Sequence, residues 1–309
     1  MHETLYPFAL IALIGVIFKR LYGNTELIKH SINVVVINVF LPALCIKTFA
    51  RISLDREMLL VPVFAWLIIL FSLTIGIFLS FLTQRLARID KKDLGILIIS
   101  SSFGNVLFIG VPVLNALYGS ESIKYALLFD YFATSLIIWT LGVFILTYYS
   151  DKNSFSIKSS IKTILSLPPL WGIAIGLLLN LTGISLDNYI IESLDLLSKT
   201  VTPLMIFSVG LSLTLPNLKN ILILLPFIIT KLLLSPFFAI MITALFDFDA
   251  SAKKAVIMES AMPVLLLLLI IVNRYKLNEQ LTALAITIST VLSFFTLPFW
   301  AKVIEVYVK

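Results

Sequence analysis

Two interruptions in long apolar stretches hold the residues best suited to bind a ligand. The first contains Gly104 and Asn105, and the second contains Met262 and Pro263. The side-chain amide of Asn105 can donate to a carboxylate while its carbonyl accepts a backbone N–H that the interruption leaves free. We therefore predict that Asn105 contacts an anionic substrate. A structural asparagine that caps the second half of the helix is the alternative, and the two roles are compatible.

The neighbouring small and polar residues extend this predicted substrate site. Ser101 and Ser102 can line the same cavity, although serine in a membrane helix more often bonds the backbone one turn back. Pro263 removes a backbone donor and displaces the carbonyl one turn earlier, which frees polar groups. A simple kink is the alternative for Pro263, and the matching interruption at Gly104 weighs against it. Gly104, Asn105, Ser101, Ser102, Pro263 and Met262 form the predicted substrate site.

Three ionisable residues fall inside apolar stretches, where a charged group is costly and is a functional candidate by default. Glu259, four residues before Pro263, can bind a proton, pair with a cation, or lie near the membrane surface. Lys231 can face the substrate or form an ion pair with Asp130. Other pairings, and a position of Asp130 near the surface, also stay open. These three are the predicted coupling or charge-pair residues.

The composition indicates an integral membrane protein that forms one unit over residues 1–309. Hydrophobic residues make up 60% of the chain and charged residues 13%, against roughly 25% charged in soluble domains. The formal net charge is +6, but the basic residues lie between apolar runs and do not cluster on one face. We therefore expect no nucleic-acid partner. A single cysteine, Cys45, excludes an intramolecular disulfide and the usual zinc spacings. We expect no metal and no cofactor.

Ten segments are long and apolar enough to cross a bilayer, each with about 20 mostly apolar residues. The N-terminal segment has its basic residues after the apolar core, unlike a cleaved signal peptide, so it is predicted to be the first span. The predicted spans are 6–22, 28–47, 59–82, 95–117, 124–149, 164–182, 189–213, 219–246, 254–273 and 281–303.

The spans divide into two repeats of five, 1–150 and 160–309. Similar features recur in the same order: Tyr6-Pro7 and Pro168-Pro169, Pro42 and Pro203, Pro62 and Pro226, Lys91-Lys92 and Lys253-Lys254. Because five is odd, the second repeat must enter the membrane upside down. The predicted fold is therefore all-α, with inverted repeats and broken, crossing helices four and nine. Paired interruptions of this kind indicate the binding site of a secondary transporter.

The distribution of basic residues predicts the orientation. With the N-terminus outside, the cytoplasmic loops hold thirteen Lys and Arg residues and the outer loops hold eight. Basic residues accumulate on the cytoplasmic side of membrane proteins. We therefore predict a multi-pass protein of the cytoplasmic (inner) membrane with both termini outside.

Four blocks of sequence resemble the auxin efflux carrier family, whose plant members are the PIN-formed auxin transporters. They cover essentially the whole chain in the family's order. Plant members have proline where this chain has Gly104, and the loop at about Ser150 to Thr163 is much shorter than in many of them. The blocks are Gly104-Asn105 through Pro112 with Tyr118-Gly119, Thr202 through Leu213, Ala261-Met-Pro263 with Asn273-Arg-Tyr275, and Ser289-Thr290 through Pro298.

The resemblance implies a division of labour among the spans. Residues of about 6–50 and 164–213 would form a scaffold that mediates homodimerisation. Residues of about 59–149 and 219–303 would form a transport domain that moves like an elevator and binds a substrate carboxylate near the crossing. Bacterial relatives are described as carriers of malate or other carboxylates, and plant members export indole acetate. The leucines after Pro263 are more apolar than expected for a polar ligand, which leaves the substrate class open.

Two other functions are considered beside an organic-anion carrier. A sodium-coupled carrier of the bile-acid type belongs to the same superfamily, and Glu259 with the nearby serines could supply ion ligands. Coupling to H+ or Na+ therefore stays open. A membrane-embedded enzyme is less favoured, because an aspartyl protease needs two facing aspartates and only Asp130 lies well within a span. Zinc chemistry needs His or Cys ligands, and both histidines are at span ends. We expect no catalytic residues.

Overall fold

The computed structural model describes residues 2–53, 55–87, 89–150, 156–213 and 221–308, which form helices and no strand. An all-helical fold satisfies each backbone group within its own segment, as a bilayer requires. The helices are α1 His2–Tyr22, α2 Glu26–Phe49, α3 Glu57–Ala87, α4 Lys91–Ser102, α5 Val106–Tyr118, α6 Ser120–Tyr149, α7 Ile157–Leu165, α8 Pro168–Thr182, α9 Asn188–Ser212, α10 Ile221–Ala244, α11 Ala250–Ser260, α12 Leu268–Arg274 and α13 Glu279–Tyr307.

Six helices of the described chain are long and apolar enough to cross a membrane: α2, α3, α6, α9, α10 and α13. The pair α7 and α8, which is bent by 56°, can supply a seventh crossing. The fourth and ninth predicted spans are each divided, into α4 with α5 and into α11 with α12. The predicted loop at about Ser150 to Thr163 needs correction, because residues from Ile157 onward form α7.

The two divided helices begin with equivalent caps. The carboxylate of Asp90 accepts the backbone N–H of Lys92 at the start of α4 (3.1 Å). Asp249 accepts the backbone N–H of Ala252 at the start of α11 (2.9 Å). Such caps satisfy N–H groups that the first turn of a helix leaves unpaired. Residues 94–102 and 255–266, which follow these caps, are all buried. Both segments therefore run into the centre of the protein.

The starts of α4 and α11 lie at opposite ends of α3. The backbone N–H of Asp249 donates to Glu57, the first residue of α3 (3.2 Å). The start of α4 follows the other end of α3 by a few residues, and its Asp93 accepts from Asn278 at the start of α13 (3.0 Å). The two helices therefore enter from opposite sides and approach each other head on.

Close backbone contacts join α1 to α9 and α2 to α8. A Cβ atom added to Gly210 would lie 2.1 Å from the carbonyl oxygen of Ala12, and one added to Gly15 would lie 2.6 Å from that of Phe207. On α8, a Cβ atom on Gly172 would lie 2.7 Å from the carbonyl oxygen of Pro42. Small residues allow membrane helices to pack at this distance. Helix α2 also packs against α9, so these four helices form one group.

Wide helical turns of the π type lie next to several predicted site residues. They occupy Val106–Gly110 in α5, Asp130–Thr134 and Ile138–Gly142 in α6, and Thr230–Leu234 in α10. Such turns are rare in proteins and are frequent at functional sites. One of these turns follows Asn105, one begins at Asp130 and one contains Lys231. The irregular backbone is therefore concentrated near the residues where α4 and α11 end.

Candidate functional site

The interruptions after α4 and α11 meet and pair through their backbones. Gly104 and Val264 form an antiparallel bridge. The N–H of Asn105 donates to the carbonyl of Pro263 at 2.7 Å, and the N–H of Leu265 donates to the carbonyl of Phe103 at 3.0 Å. Each interruption therefore supplies partners for the backbone groups that the other leaves free. This pairing satisfies backbone groups that would be costly to leave unpaired in a membrane.

Side chains complete the hydrogen bonding around the second interruption. The first backbone N–H after Pro263 belongs to Val264, and it donates to the hydroxyl of Ser289 at 3.0 Å. The ammonium of Lys231 donates to the carbonyl of Ser260, the last residue of α11. The Lys231 contact joins α11 to α10, and the Ser289 contact joins the second interruption to α13. They satisfy backbone groups at the end of α11 and in the interruption, where intrahelical partners are lacking.

Gly104 leaves the space that Lys231 occupies. A Cβ atom on Gly104 would lie 3.0 Å from Cε and 3.2 Å from Nζ of Lys231, and 3.3 Å from Cβ of Met262. The sequence pointed to Gly104 as a residue that can break a helix. In the structure its missing side chain also allows a lysine to reach the broken end of α11.

Glu259 is buried against Gly110 without a hydrogen-bond partner. Its side chain is 1% exposed, so it does not lie at the protein surface. A Cβ atom on Gly110 would lie only 2.0 Å from Oε2 of Glu259, which shows how closely the carboxyl group approaches the α5 backbone. Neither carboxyl oxygen accepts a hydrogen bond within the described part of the chain. The missing side chain of Gly110 leaves the space that this carboxyl occupies.

Asp130 and Lys231 do not form the ion pair that the sequence left open. Asp130 is buried and accepts a hydrogen bond from the hydroxyl of Ser135 at 3.0 Å. Lys231 is occupied by the carbonyl of Ser260. The short ion pairs of the described chain lie elsewhere, for example between Lys199 and Asp195 at 2.5 Å.

A cavity of about 110 Å³ lies beside the crossing. The side-chain amide of Asn105 faces it and makes no hydrogen bond with the described residues, and its oxygen is fully buried. The alternative role of Asn105 as a side-chain cap is therefore wrong: its backbone carbonyl, not its side chain, accepts from the N–H groups of Ile109 and Gly110 (3.1 Å each). Polar groups from the first repeat line the cavity, and apolar side chains from both repeats line the rest. The polar residues are Asn105, Asp130, Thr134 and Ser135, and the apolar ones include Phe108, Trp139, Leu265 and Leu267.

The other predicted substrate residues lie near the crossing and do not line this cavity. The hydroxyls of Ser101 and Ser102 bond the carbonyl of Ile98 at 2.7 and 2.9 Å, which is the alternative given for them from the sequence. Gly104, Met262 and Pro263 are buried in the crossing itself. They shape the backbone around the cavity.

Sequence reasoning missed four polar residues with structural or lining roles: Ser135, Thr134, Ser260 and Ser289. Ser289 stood in a block that carried the family resemblance, but its link to Val264 depends on a contact between distant segments. Ser135 lies five residues after Asp130, a spacing that becomes a contact only through the π turn between them. A regular helix would have favoured a spacing of three or four.

The arrangement is suited to binding a small ligand. No group of three His, Cys, Asp or Glu residues within the described ranges could hold a metal ion. The free amide of Asn105 can donate to a polar ligand group, and Leu265 and Leu267 offer an apolar wall.

Comparison with known proteins agrees with a membrane carrier. A family model described as membrane transport protein matches residues 10–301. The chain is 28% identical over 305 residues to an uncharacterized transporter of Methanothermobacter thermautotrophicus, with 98% of each chain covered. It is also 28% identical over 307 residues to an uncharacterized transporter of Methanocaldococcus jannaschii, with 96% of each covered.

Proposed function

The chain belongs to the membrane transport protein family, which confirms the resemblance to the auxin efflux carriers, and we propose that it moves a small organic anion across the cytoplasmic membrane. It would act as a secondary active transporter or facilitator and not as an enzyme. A carboxylate such as malate or an auxin-like acid is the proposed substrate. The observation that carries this proposal is the hydrogen-bonded crossing of α4 and α11, beside a cavity that exposes the free amide of Asn105.

The chemistry of the cavity supports an anion with an apolar part. The amide of Asn105 would donate to the carboxylate, and Leu265 and Leu267 would contact the carbon skeleton. Asp130 also faces the cavity. Two carboxylates close together in a buried site cannot both stay charged without a compensating cation or proton. We therefore propose that a proton or a cation accompanies the substrate, with Asp130, Glu259 and Lys231 as the coupling residues.

We also propose the ten-span inverted repeat with both termini outside. Its support is the equivalent capping by Asp90 and Asp249, the opposite directions from which α4 and α11 enter, and their antiparallel pairing at Gly104 and Val264. An inverted repeat generates this kind of symmetric crossing.

An elevator movement of α3–α6 and α10–α13 against a dimeric scaffold is the proposed mechanism. Its support is the close packing of α1 with α9 and of α2 with α8, through Gly15, Gly210 and Gly172. These tight backbone contacts would keep the scaffold rigid while the crossing moves. The homodimer would form through the same scaffold.

The sodium-coupled alternative has one observation in its favour, the carboxyl of Glu259 that accepts no hydrogen bond in the described chain. A sodium site needs several oxygen ligands. The hydroxyls of Ser101 and Ser102 contact the carbonyls of Ile98 and Ser72 and each other, and their contacts in the described chain do not include the carboxyl of Glu259. We therefore rank sodium coupling second.

The test is a binding screen on purified protein with mono- and dicarboxylates and indole acetate, at two pH values, with and without sodium. The variant Asn105→Ala removes one hydrogen bond to a charged group, about 1.5–3 kcal/mol, which weakens substrate binding about 10- to 150-fold. Asn115→Ala changes the same residue type within α5, the helix that Asn105 precedes, but outside the cavity, and should bind normally. Transport by Asn105→Ala at the normal rate would show that the site is misplaced.

A further inference from the structure

Helix α7 has the pattern of a helix that lies in the plane of a membrane surface. Ile157, Ile161 and Leu165 follow each other at a spacing of four and are 61%, 49% and 60% exposed. Lys158 and Lys162 form a parallel row one position later and are also exposed. Side chains four apart share one helix face, so an apolar row lies beside a basic row. This arrangement is typical of interfacial helices that rest on anionic lipid.

Because of the bend between α7 and α8, the axis of α7 does not continue in the direction of the following span. The two helices meet at 56°. The indole N–H of Trp171, on α8, donates to the carbonyl of Leu165 at the end of α7 (2.8 Å). Trp171 is itself 60% exposed, and exposed tryptophans are frequent at the boundary between hydrocarbon and water. An exposed tryptophan at the bend is the pattern expected of a bend at the level of the lipid headgroups.

A polar cavity of about 300 Å³ lies between α7, α6 and the end of α12. Three residues of α7 and Ser156, which precedes it, carry hydroxyls that line the cavity, and Arg274 at the end of α12 and Tyr275 after it close the cavity. Ser160 lines the cavity and is only 5% exposed, and its hydroxyl makes no hydrogen bond within the described part of the chain. The guanidinium of Arg274 has no ion-pair partner among the described residues. No Asp or Glu is among the described residues that line the cavity.

These groups match the chemistry of a phosphate ester. A guanidinium binds phosphate oxygens through two parallel hydrogen bonds, and the hydroxyls of Ser159 and Ser160 can donate to the remaining oxygens. The hydroxyl of Thr163 donates instead to the carbonyl of Ser159 (2.9 Å). The volume is about ten times the roughly 30 Å³ that one water molecule takes in the liquid, which is enough for a phosphate with part of a glycerol group. The absence of lining carboxylates in the described residues removes the main source of repulsion.

We infer that this cavity binds the phosphate of an anionic phospholipid headgroup. The membrane is the favoured source of the phosphate because α7, which lines the cavity with one face, exposes Ile157, Ile161 and Leu165 on another. Basic pockets on the cytoplasmic side of membrane proteins bind such headgroups, and anionic lipids are concentrated in that leaflet. The sequence places α7 and Arg274 on the cytoplasmic side.

Native mass spectrometry of the full chain, released from detergent with defined lipids, tests this inference. The purified protein is titrated separately with dioleoylphosphatidylglycerol, dioleoylphosphatidylcholine and inorganic phosphate. We expect one phosphatidylglycerol per chain to bind at least tenfold more tightly than phosphatidylcholine, and no saturable binding of phosphate at matched concentration. Arg274→Gln should weaken the phosphatidylglycerol complex at least tenfold, and Ser160→Ala should weaken it by a smaller factor.

Lys276→Gln is the matched control, because it removes an exposed positive charge two residues from Arg274 that does not line the cavity. It should change phosphatidylglycerol binding less than threefold. Equal losses in Arg274→Gln and Lys276→Gln would mean that only general charge matters, and the inference would be overturned. Equal binding of the two lipids would overturn it as well. Tight binding of inorganic phosphate would overturn the lipid as the source.

Discussion

The backbone N–H of Val264 depends on one hydroxyl, and Ser289→Ala removes it. Val264 follows Pro263 and donates to Ser289 at 3.0 Å, in a position where Ser289 is fully buried. An alanine leaves this N–H without a partner in a site that water does not reach, which costs about 1–3 kcal/mol. Because 1.4 kcal/mol is a factor of ten, hydrogen exchange of Val264 by local opening should become about 5- to 150-fold faster.

Hydrogen exchange measured by mass spectrometry on peptides that contain Val264 gives the readout for Ser289→Ala. Ser293→Ala is the control: this serine lies one turn further along α13, is 2% exposed, and bonds only the carbonyl of Thr290 in its own helix (2.7 Å). It should leave exchange at Val264 unchanged. If both variants protect Val264 as well as the unchanged protein does, the hydroxyl of Ser289 is not what holds the crossing together.

Two glycine substitutions test the close approaches in the fold. Gly110→Ala places a Cβ atom 2.0 Å from the carboxyl of Glu259 and should lower the free energy of unfolding by about 1–3 kcal/mol. In a double-mutant cycle, adding Glu259→Ala should recover most of this loss. If the double variant recovers none of it, the contact is refuted. Gly210→Ala meets the backbone oxygen of Ala12 at 2.1 Å, which cannot move alone, whereas Gly142→Ala meets only the end of a flexible isoleucine side chain at 2.6 Å. The midpoint temperature of thermal unfolding should therefore fall further for Gly210→Ala than for Gly142→Ala. Equal decreases in this temperature would contradict the tight packing of α1 with α9.

The helical fold and the position of its two interruptions could be predicted because each has a local cause. Apolar length predicts a helix in a bilayer, and glycine or proline within it predicts a break. The equivalent roles of Asp90 as the cap of α4 and Asp249 as the cap of α11 follow from the same local rules. The helix α7 was missed because nine residues with a mixed apolar and basic pattern are too short for a span and were assigned to a loop.

The contacts within the site could not be predicted, because each joins residues far apart in the chain. The sequence identifies Lys231 and Glu259 as costly charges but does not show which group each one meets. In the structure Lys231 meets a backbone carbonyl and Glu259 meets the backbone of Gly110. Both partners are backbone groups, which carry no sequence signal. Reasoning from opposite charges alone therefore left open a pairing of Lys231 with Asp130 that does not form.

The two interruptions differ in which part of the site they supply. The first ends in Asn105, whose backbone is fixed by Pro263 while its side chain stays free toward the cavity. The second is held by Lys231 and Ser289, so its polar groups are used within the protein and its leucines face the cavity. A ligand with one polar end and an apolar body fits this division. Since the same hydrogen bonds hold both interruptions, a movement that carries one must carry the other, and the amide and the apolar wall would travel together with the ligand.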